Sequence, residues 1–290
     1  LAAADGKDGN ATGAAAPTSA DYAAIGVTGT TAASATLLSD VVDSLANTAV
    51  DTVGELQTLA DAAAATVGYS GAAGQTAPTL AQLNAIAGGA GVTADNLAAV
   101  QAALAAANAD GTPVSQSELQ GIISTITNAA AAIGQFAGDN ASGLASPTGT
   151  APTLANYATA GVTGVTASNV DAINDALASN AIDKSKADTP AEIQAIVNAY
   201  NKVLGAADGN ATNNTLGTVA EPTTDDYAAI GVTGTSAASA KLLSDVVDNL
   251  ANTAVDTVAE LQALADAAAA TVGYNGTGTG PTAAQLNAIA

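Results

Sequence analysis

The sequence predicts an all-α fold, a tandem array of small three-helix modules joined by Gly/Thr/Asn-rich linkers. Three observations predict it. The 49-residue stretch Asp21 to Tyr69 returns as Asp226 to Tyr274 with five differences: Thr31/Ser236, Thr36/Lys241, Ser44/Asn249, Gly54/Ala259 and Thr58/Ala263. A Pro-Thr pair opens each copy, at Pro17, Pro78, Pro152, Pro222 and Pro281. Four Ser/Thr-x-x-Glu signatures, at Thr52, Ser115, Thr189 and Thr257, stand in register within the copies. Self-similarity at a steady spacing marks a modular array, and each Ser/Thr-x-x-Glu marks a helix N-terminus.

These signals divide the chain. Residues 1–16 read as the tail of a preceding repeat and its linker. Residues 17–77 form the first repeat, 78–151 the second, 152–221 the third, and 222–280 the fourth, a near-copy of the first. Residues 281–290 start a fifth, whose Gln285 to Ala290 repeat Gln82 to Ala87. Three repeats therefore make one super-repeat. The chain reads as a window cut from a longer protein, in which any export signal is expected elsewhere.

Within a repeat the first element is a short helix. Thr18 with Asp21, Thr79 with Gln82, Thr153 with Asn156, Thr223 with Asp226 and Thr282 with Gln285 share one offset, an N-cap with a side chain that caps back. The helix stops at Gly26, around Gly88, at Gly161 or at Gly231, since glycine accepts the left-handed conformation just past a helix end. A Val-Thr pair follows each stop. A second helix is expected from near Thr31, Thr93, Thr166 and Ser236, with stripes such as Leu38, Val41/Val42, Leu45 and Val170, Ile173, Leu177 on one face. The third helix begins at the capping boxes. Its stripe is Val53, Leu56, Leu59, Ala63, Val67 in the first repeat; Leu119, Ile122/Ile123, Ile126, Ile133 in the second; and Ile193, Ile196/Val197, Tyr200, Val203 in the third. Pro190 falls at a first helical position, where a missing N–H costs nothing.

The competing reading is a strand through runs such as Gly161-Val-Thr-Gly-Val-Thr166, which are short and broken by glycine. Linkers are expected at 5–16, 70–77, 138–151, 205–221 and 275–280, all made of turn-forming residues. Such small modules bury little area alone, so neighbouring modules or other chains should supply part of their stability.

Composition narrows the role. Much of the apolar content is alanine, the strongest helix former, with one Phe, six Tyr, and no Trp, Met or Cys. The net charge is −21, and all five cations are lysines. That charge excludes phosphate-backbone binding, which needs Lys and Arg, and disfavours anionic membranes. No stretch is long and apolar enough to insert in a bilayer. Divalent cations are the partners it would attract.

Catalysis has little to draw on. Without His or Cys, the commonest general base and two common nucleophile arrangements are missing. Asp40/Asp43 and Asp245/Asp248 fall between stripe positions and read as a solvated acidic face. Hence no catalytic residue, cofactor or dedicated metal site is expected. Calcium is the secondary candidate, at Asp5, Asp8, Asn10, Asp208 and Asn210; but Lys7 occupies a ligand slot and no closing Glu follows. Asn10, Asn140, Asn210, Asn213 and Asn275 sit in Asn-x-Ser/Thr sequences in expected linkers, as glycan candidates. Tyr22, Tyr157 and Tyr227 share one repeat position, and Tyr69 and Tyr274 another; with Tyr200 they are expected as anchors of the core or of repeat interfaces.

The phrase Asp-Tyr-Ala-Ala-Ile-Gly-Val-Thr-Gly at 21–29 and 226–234, with Ala-Asn-Tyr-Ala-Thr-Ala-Gly-Val-Thr-Gly at 155–164 and Ala-Glu-Leu-Gln-Ala-Leu-Ala-Asp-Ala at 259–267, resembles the tandem Ala/Thr-rich repeats of giant bacterial surface proteins and adhesins. The resemblance implies export, a cell-surface or extracellular location and a structural or adhesive role. The family's calcium-binding nonapeptides are absent from this sequence. Together these readings point to a structural segment of a bacterial extracellular filament whose partners are other copies of itself. A single-chain adhesin stalk and a multivalent surface- or carbohydrate-binding array are the alternatives.

Overall fold

The computed structural model describes residues 16–89, 91–141, 148–207, 209 and 220–290. It is all-helical, and no strand occurs among the described residues. Two compact units divide the chain, Leu1–Thr127 and Asn128–Ala290.

The first unit contains α1 (Ser19–Ala24), α2 (Ala32–Ser44), α3 (Val53–Gly68), α4 (Leu80–Ala87), α5 (Leu97–Ala107) and the first half of α6 (Gln116–Asn140). The second holds the rest of α6, then α7 (Leu154–Thr159), α8 (Val170–Leu177), α9 (Pro190–Ala206), α10 (Thr224–Ala229), α11 (Ala237–Asp248), α12 (Val258–Gly273) and α13 (Ala283–Ala288). Short 3₁₀ turns precede α3, α9 and α12 and follow α5.

The cap chemistry read from the sequence sets most helix starts. Thr18, Thr79, Thr153, Thr223 and Thr282 make reciprocal capping boxes with Asp21, Gln82, Asn156, Asp226 and Gln285. The third helices are capped the same way by Thr52/Glu55, Ser115/Glu118, Thr189/Glu192 and Thr257/Glu260. Each box satisfies backbone donors that the helix itself leaves orphaned.

The second helix departs from expectation in two repeats. Thr31 and Ser236 do cap α2 and α11. At Thr93 and Thr166, however, only a single turn forms, and regular helix begins at Leu97 and Val170. The reason is an asparagine three residues on. Asn96 and Asn169 accept from the Thr93 and Thr166 N–H, but their amides also donate back to the Gly91 and Gly164 carbonyls at 2.9 and 2.8 Å. That second bond ties the turn to the loop before it.

The Gly-Val-Thr runs are extended but pair with no strand. A glutamine does the pairing instead. Gln57 accepts from the Thr28 N–H at 2.8 Å and donates to the Thr28 carbonyl at 3.1 Å. Gln194 clasps Thr163 at 2.8 and 3.0 Å, and Gln262 clasps Thr233 at 2.8 and 3.1 Å. The side-chain amide supplies the donor and acceptor that a neighbouring strand would have given. In the second repeat, Asn84 does this locally for Val92, at 2.9 and 2.8 Å.

Packing joins consecutive repeats. In the first unit one apolar cluster runs from Tyr22, Leu38 and Val41 of the first repeat to Leu83, Ile86, Leu104 and Leu119 of the second. In the second unit another runs from Ile133 through Tyr157, Ile173 and Tyr200 to Tyr227, Ile230, Leu243 and Leu261. α2 packs on α3 and α11 on α12, where Ala60, Ala62, Ala63 and their counterparts Ala265, Ala267 and Ala268 are buried. Small side chains let these backbones approach closely, and each leucine seated there contributes about 1.5–3 kcal/mol.

Two stretches expected as linkers are partly helical. α6 continues to Asn140 and α9 to Ala206. Val53, expected in a buried stripe, is instead 47% exposed.

The tyrosines at the shared position are buried and bonded to the second helix of their own repeat. The Tyr22 and Tyr227 hydroxyls meet Ser39 and Ser244 at 3.2 and 3.1 Å, and Tyr157 donates to Asn174 at 2.7 Å. The same three partners donate onward to the Pro17, Pro222 and Pro152 carbonyls, pinning the start of each repeat. In the second repeat, Leu83 replaces the tyrosine and Gln101 alone reaches Pro78.

Burial raises the phenol pKa of Tyr22, Tyr157 and Tyr200, and pushes that of Tyr227 up to about 12. The unfolded chain ionises first, so this stability is complete below the ordinary value of 10.0 and is lost as pH climbs through the folded value. We therefore expect the thermal midpoint, followed by circular dichroism, to fall steeply above pH ~10, with Tyr227→Phe flattening part of that fall. A midpoint unchanged up to pH ~12 contradicts the assignment.

Candidate interaction site: the joint between repeats

The described residues bring no nucleophile, base and orienting group together, and none of their acidic residues form a group that could hold a metal. Their specific chemistry converges instead where one repeat meets the next. The key residue lies 23 positions after the opening proline (40−17 and 175−152).

In the first unit this is Asp40, on α2. Its carboxylate lies beside the backbone N–H of Gln116, the first residue of α6 in the following repeat. Burial, and next the charge of Asp43, push the Asp40 carboxyl above its ordinary value, while the Gln116 N–H pulls it back. Around this contact the Gln116 amide donates to the Ile86 carbonyl at 3.0 Å and to Ser44 Oγ at 3.3 Å. Gln120 donates to the Ala87 carbonyl at 2.8 Å. Farther along, Asn108 of the second repeat donates to the Thr66 and Tyr69 carbonyls at 2.8 and 2.9 Å, closing the C-terminal end of α3.

The second unit repeats the device. Asp175, on α8, accepts from the N–H of Val258, the first residue of α12, at 2.6 Å. A helix N-terminus carries partial positive charge and unpaired donors, so a carboxylate there makes a charge-assisted hydrogen bond. Neighbouring contacts reinforce it. Lys202 of α9 pairs with Asp226 of α10 at 2.5 Å. Burial pushes the Asp226 carboxyl up, but bonds from Lys202 and Thr223 outweigh it and hold the group below its ordinary value. The Tyr200 hydroxyl donates to the Val255 carbonyl at 3.3 Å. Gly231, at φ +95°, lies where an added Cβ would come within 2.2 Å of Ser179 Oγ, so this crossing requires glycine.

The step from the second to the third repeat has neither half of the device. Gln101 holds the Pro78 carbonyl at 2.9 Å as Asn174 holds that of Pro152, and the next residue, Ala102, stands where Asp175 does. The third helix of the third repeat begins with Pro190, which has no N–H to give.

The residues singled out from sequence fall as follows. The calcium candidates Asp5, Asp8, Asn10, Asp208 and Asn210, and the glycan candidates Asn10, Asn210 and Asn213, lie outside the described residues. Asn140 is not in a linker. It closes α6, is buried, and donates to the Phe136 and Thr148 carbonyls at 2.7 and 3.1 Å. Asn275 is exposed and accepts from the Thr277 hydroxyl at 2.7 Å. Tyr22, Tyr157, Tyr200 and Tyr227 are buried, Tyr69 is half-buried and Tyr274 is exposed. The supposed solvated face is corrected at Asp248, which is 5% exposed at the end of α11.

Sequence reasoning missed Asp40, Asp175 and the clasping glutamines. The recurring Glu-Leu/Ile-Gln of Glu55 to Gln57, Glu192 to Gln194 and Glu260 to Gln262 was the available signal for the latter. Comparison with protein-family models, curated proteins and solved structures finds no match.

The Asp175–Val258 bond can be isolated by a double-mutant cycle. Asp175→Ala and Val258→Pro should each lower unfolding free energy by about 1–3 kcal/mol, and the double variant should lose about 1 kcal/mol less than the sum. Strict additivity in urea denaturation would show that the two groups do not interact.

Proposed function

We propose that this chain is a structural segment of a bacterial extracellular filament or fibre, without catalytic activity. On this reading it is a tandem array of three-helix modules joined by Gly/Thr/Asn-rich linkers, and assembly proceeds through repeated equivalent interfaces. The observation that carries the proposal is the joint between repeats: Asp175 accepts from the first N–H of α12 at 2.6 Å, and Asp40 stands beside the first N–H of α6. Polar specificity directed at the next copy of the same unit suits a protein whose work is mechanical. The acidic character of the chain, net −21, suits solubility outside the cell and attraction of divalent cations between neighbouring surfaces.

One observation favours a second reading, the stalk of a giant surface adhesin. Both joints act between consecutive repeats of one chain and need no second chain. A multivalent surface- or carbohydrate-binding array gains less support, because Tyr22, Tyr157 and Tyr227 are buried and offer no aromatic stripe.

Electron microscopy of native material separates these readings. Ordered fibres with an axial repeat matching one or three modules are the expected result. Isolated threads would reject assembly and leave the stalk.

A further inference from the structure

The linker after α12 holds the only Asn-Gly pair in the sequence, Asn275-Gly276. An asparagine side chain can cyclise onto the backbone nitrogen that follows it, and glycine has no Cβ to crowd that nitrogen. Three groups decide whether a given pair does so: the side-chain carbonyl, the leaving amide and the attacking nitrogen.

The fold leaves all three ready at Asn275. Its Oδ1 accepts from the Thr277 N–H at 3.1 Å and from the Thr277 hydroxyl at 2.7 Å. Two donors on one carbonyl oxygen stabilise the negative charge that the oxygen gains under attack. The Asn275 amide and the Gly276 N–H have no hydrogen-bond partner among the described residues. Gly276 lies at φ +87° with open space where a Cβ would stand, and both residues are exposed.

The near-copy shows the same linker with a repeat after it. There the chain runs Tyr69-Ser70-Gly71 in place of Tyr274-Asn275-Gly276, and the second repeat follows. Ser70 and Gly71 are still exposed, and the Gly71 N–H has no acceptor among the described residues. The open state of this position is thus a property of the linker, and serine leaves the first copy without the reactive amide. Other asparagines lack one or more of the conditions. Asn84, Asn96, Asn108, Asn140, Asn169 and Asn174 each donate their amide to a backbone carbonyl. Asn180 is exposed and its amide is unengaged among the described residues, but Ala181 follows it and brings a Cβ.

We infer that Asn275 is a site of self-modification, converting through a cyclic imide to aspartate and isoaspartate. The Gly276 nitrogen gives its proton to hydroxide or a buffer base and attacks Asn275 Cγ. The N–Cγ bond forms, the Cγ–Nδ2 bond breaks, and Nδ2 takes a proton from solvent and leaves as ammonia. Water then adds to either carbonyl of the ring. Breaking the new N–Cγ bond gives aspartate. Breaking the original peptide bond gives isoaspartate, in which the main chain runs through Cγ. Either product adds a negative charge to a chain already at −21, beside Tyr274, whose ring packs on Gly280. Isoaspartate also lengthens the main chain inside the turn that Tyr274 and Gly280 close. Conversion removes the acceptor amide of Asn275-Gly-Thr277, so a glycan there and conversion exclude each other. The chemistry is the same whether the chain serves in a filament or in a stalk.

The test incubates the full chain in mildly alkaline buffer and maps its peptides at intervals by mass spectrometry, with an isoaspartate assay alongside. Asn275 should gain both products ahead of every other asparagine, with ammonia released in step. Mildly acidic buffer should slow the change, because the Gly276 nitrogen then keeps its proton. Asn275→Ser, the residue of the first copy, should abolish the signal. Thr277→Val removes the hydroxyl donor and should slow conversion about fivefold, while Thr277→Ser keeps the hydroxyl and the rate. An Asn275 that stays intact, or that converts no faster than Asn180, would overturn the inference. So would a Thr277→Val chain that keeps pace with wild type, or a Thr277→Ser chain as slow as Thr277→Val.

Discussion

A carboxylate placed on the first N–H of a helix in the next repeat is the constraint on which this architecture depends. Every helix leaves donors unsatisfied at its start, and here three kinds of group share the task. The N-cap threonine or serine takes the N–H of the third residue, and the glutamate there returns the favour to the cap. The N–H groups of the first two residues are left, and in α12 the first of them finds its acceptor in the preceding repeat, at Asp175.

The rest of the design makes the tie directional. An alanine-rich core packs closely but specifies little, because small side chains fit many registers. Register comes from polar pins. The tyrosine hydroxyls fix the first helix to the second, the glutamine clasps fix the Gly-Val-Thr run to the third, and the prolyl carbonyl at the start of each repeat is held by Ser39, Gln101, Asn174 or Ser244. Glycine at 231 lets the helix end approach closely, and any side chain there would force the two repeats apart.

Local features of this scheme were legible in the sequence, and the long-range ones were not. The capping boxes, the glycine stops and the all-helical class follow from residue types at fixed short offsets, which govern structure within one turn. The strand alternative failed because Gln57, Gln194 and Gln262 satisfy the Val-Thr backbone from about thirty residues away, beyond any periodicity window. Asp40 reads as a member of a solvated face and is exposed, since the helical pattern states only that it does not belong to the apolar stripe, and nothing local marks Asp175. Their donors lie 76 and 83 residues downstream (116−40 and 258−175), a separation that no local signal encodes. Val53 was misread for a related reason. Its stripe position is correct, but its burial depends on a neighbouring helix end that covers Val258 and not Val53.

The order of joint residues then implies a grouping larger than the repeat. Reading along the chain, the steps run joined at Asp40, unjoined at Ala102 with Pro190, and joined at Asp175. The fourth repeat copies the first, so the pattern has the three-repeat period of the sequence itself, with two carboxylate joints and one break in each period. The division between compact units, at Thr127 and Asn128, falls inside α6, whose second half belongs to the apolar core of the third repeat. Where alanine and proline stand in place of the aspartate and its donor, the coupling between repeats loses its polar half.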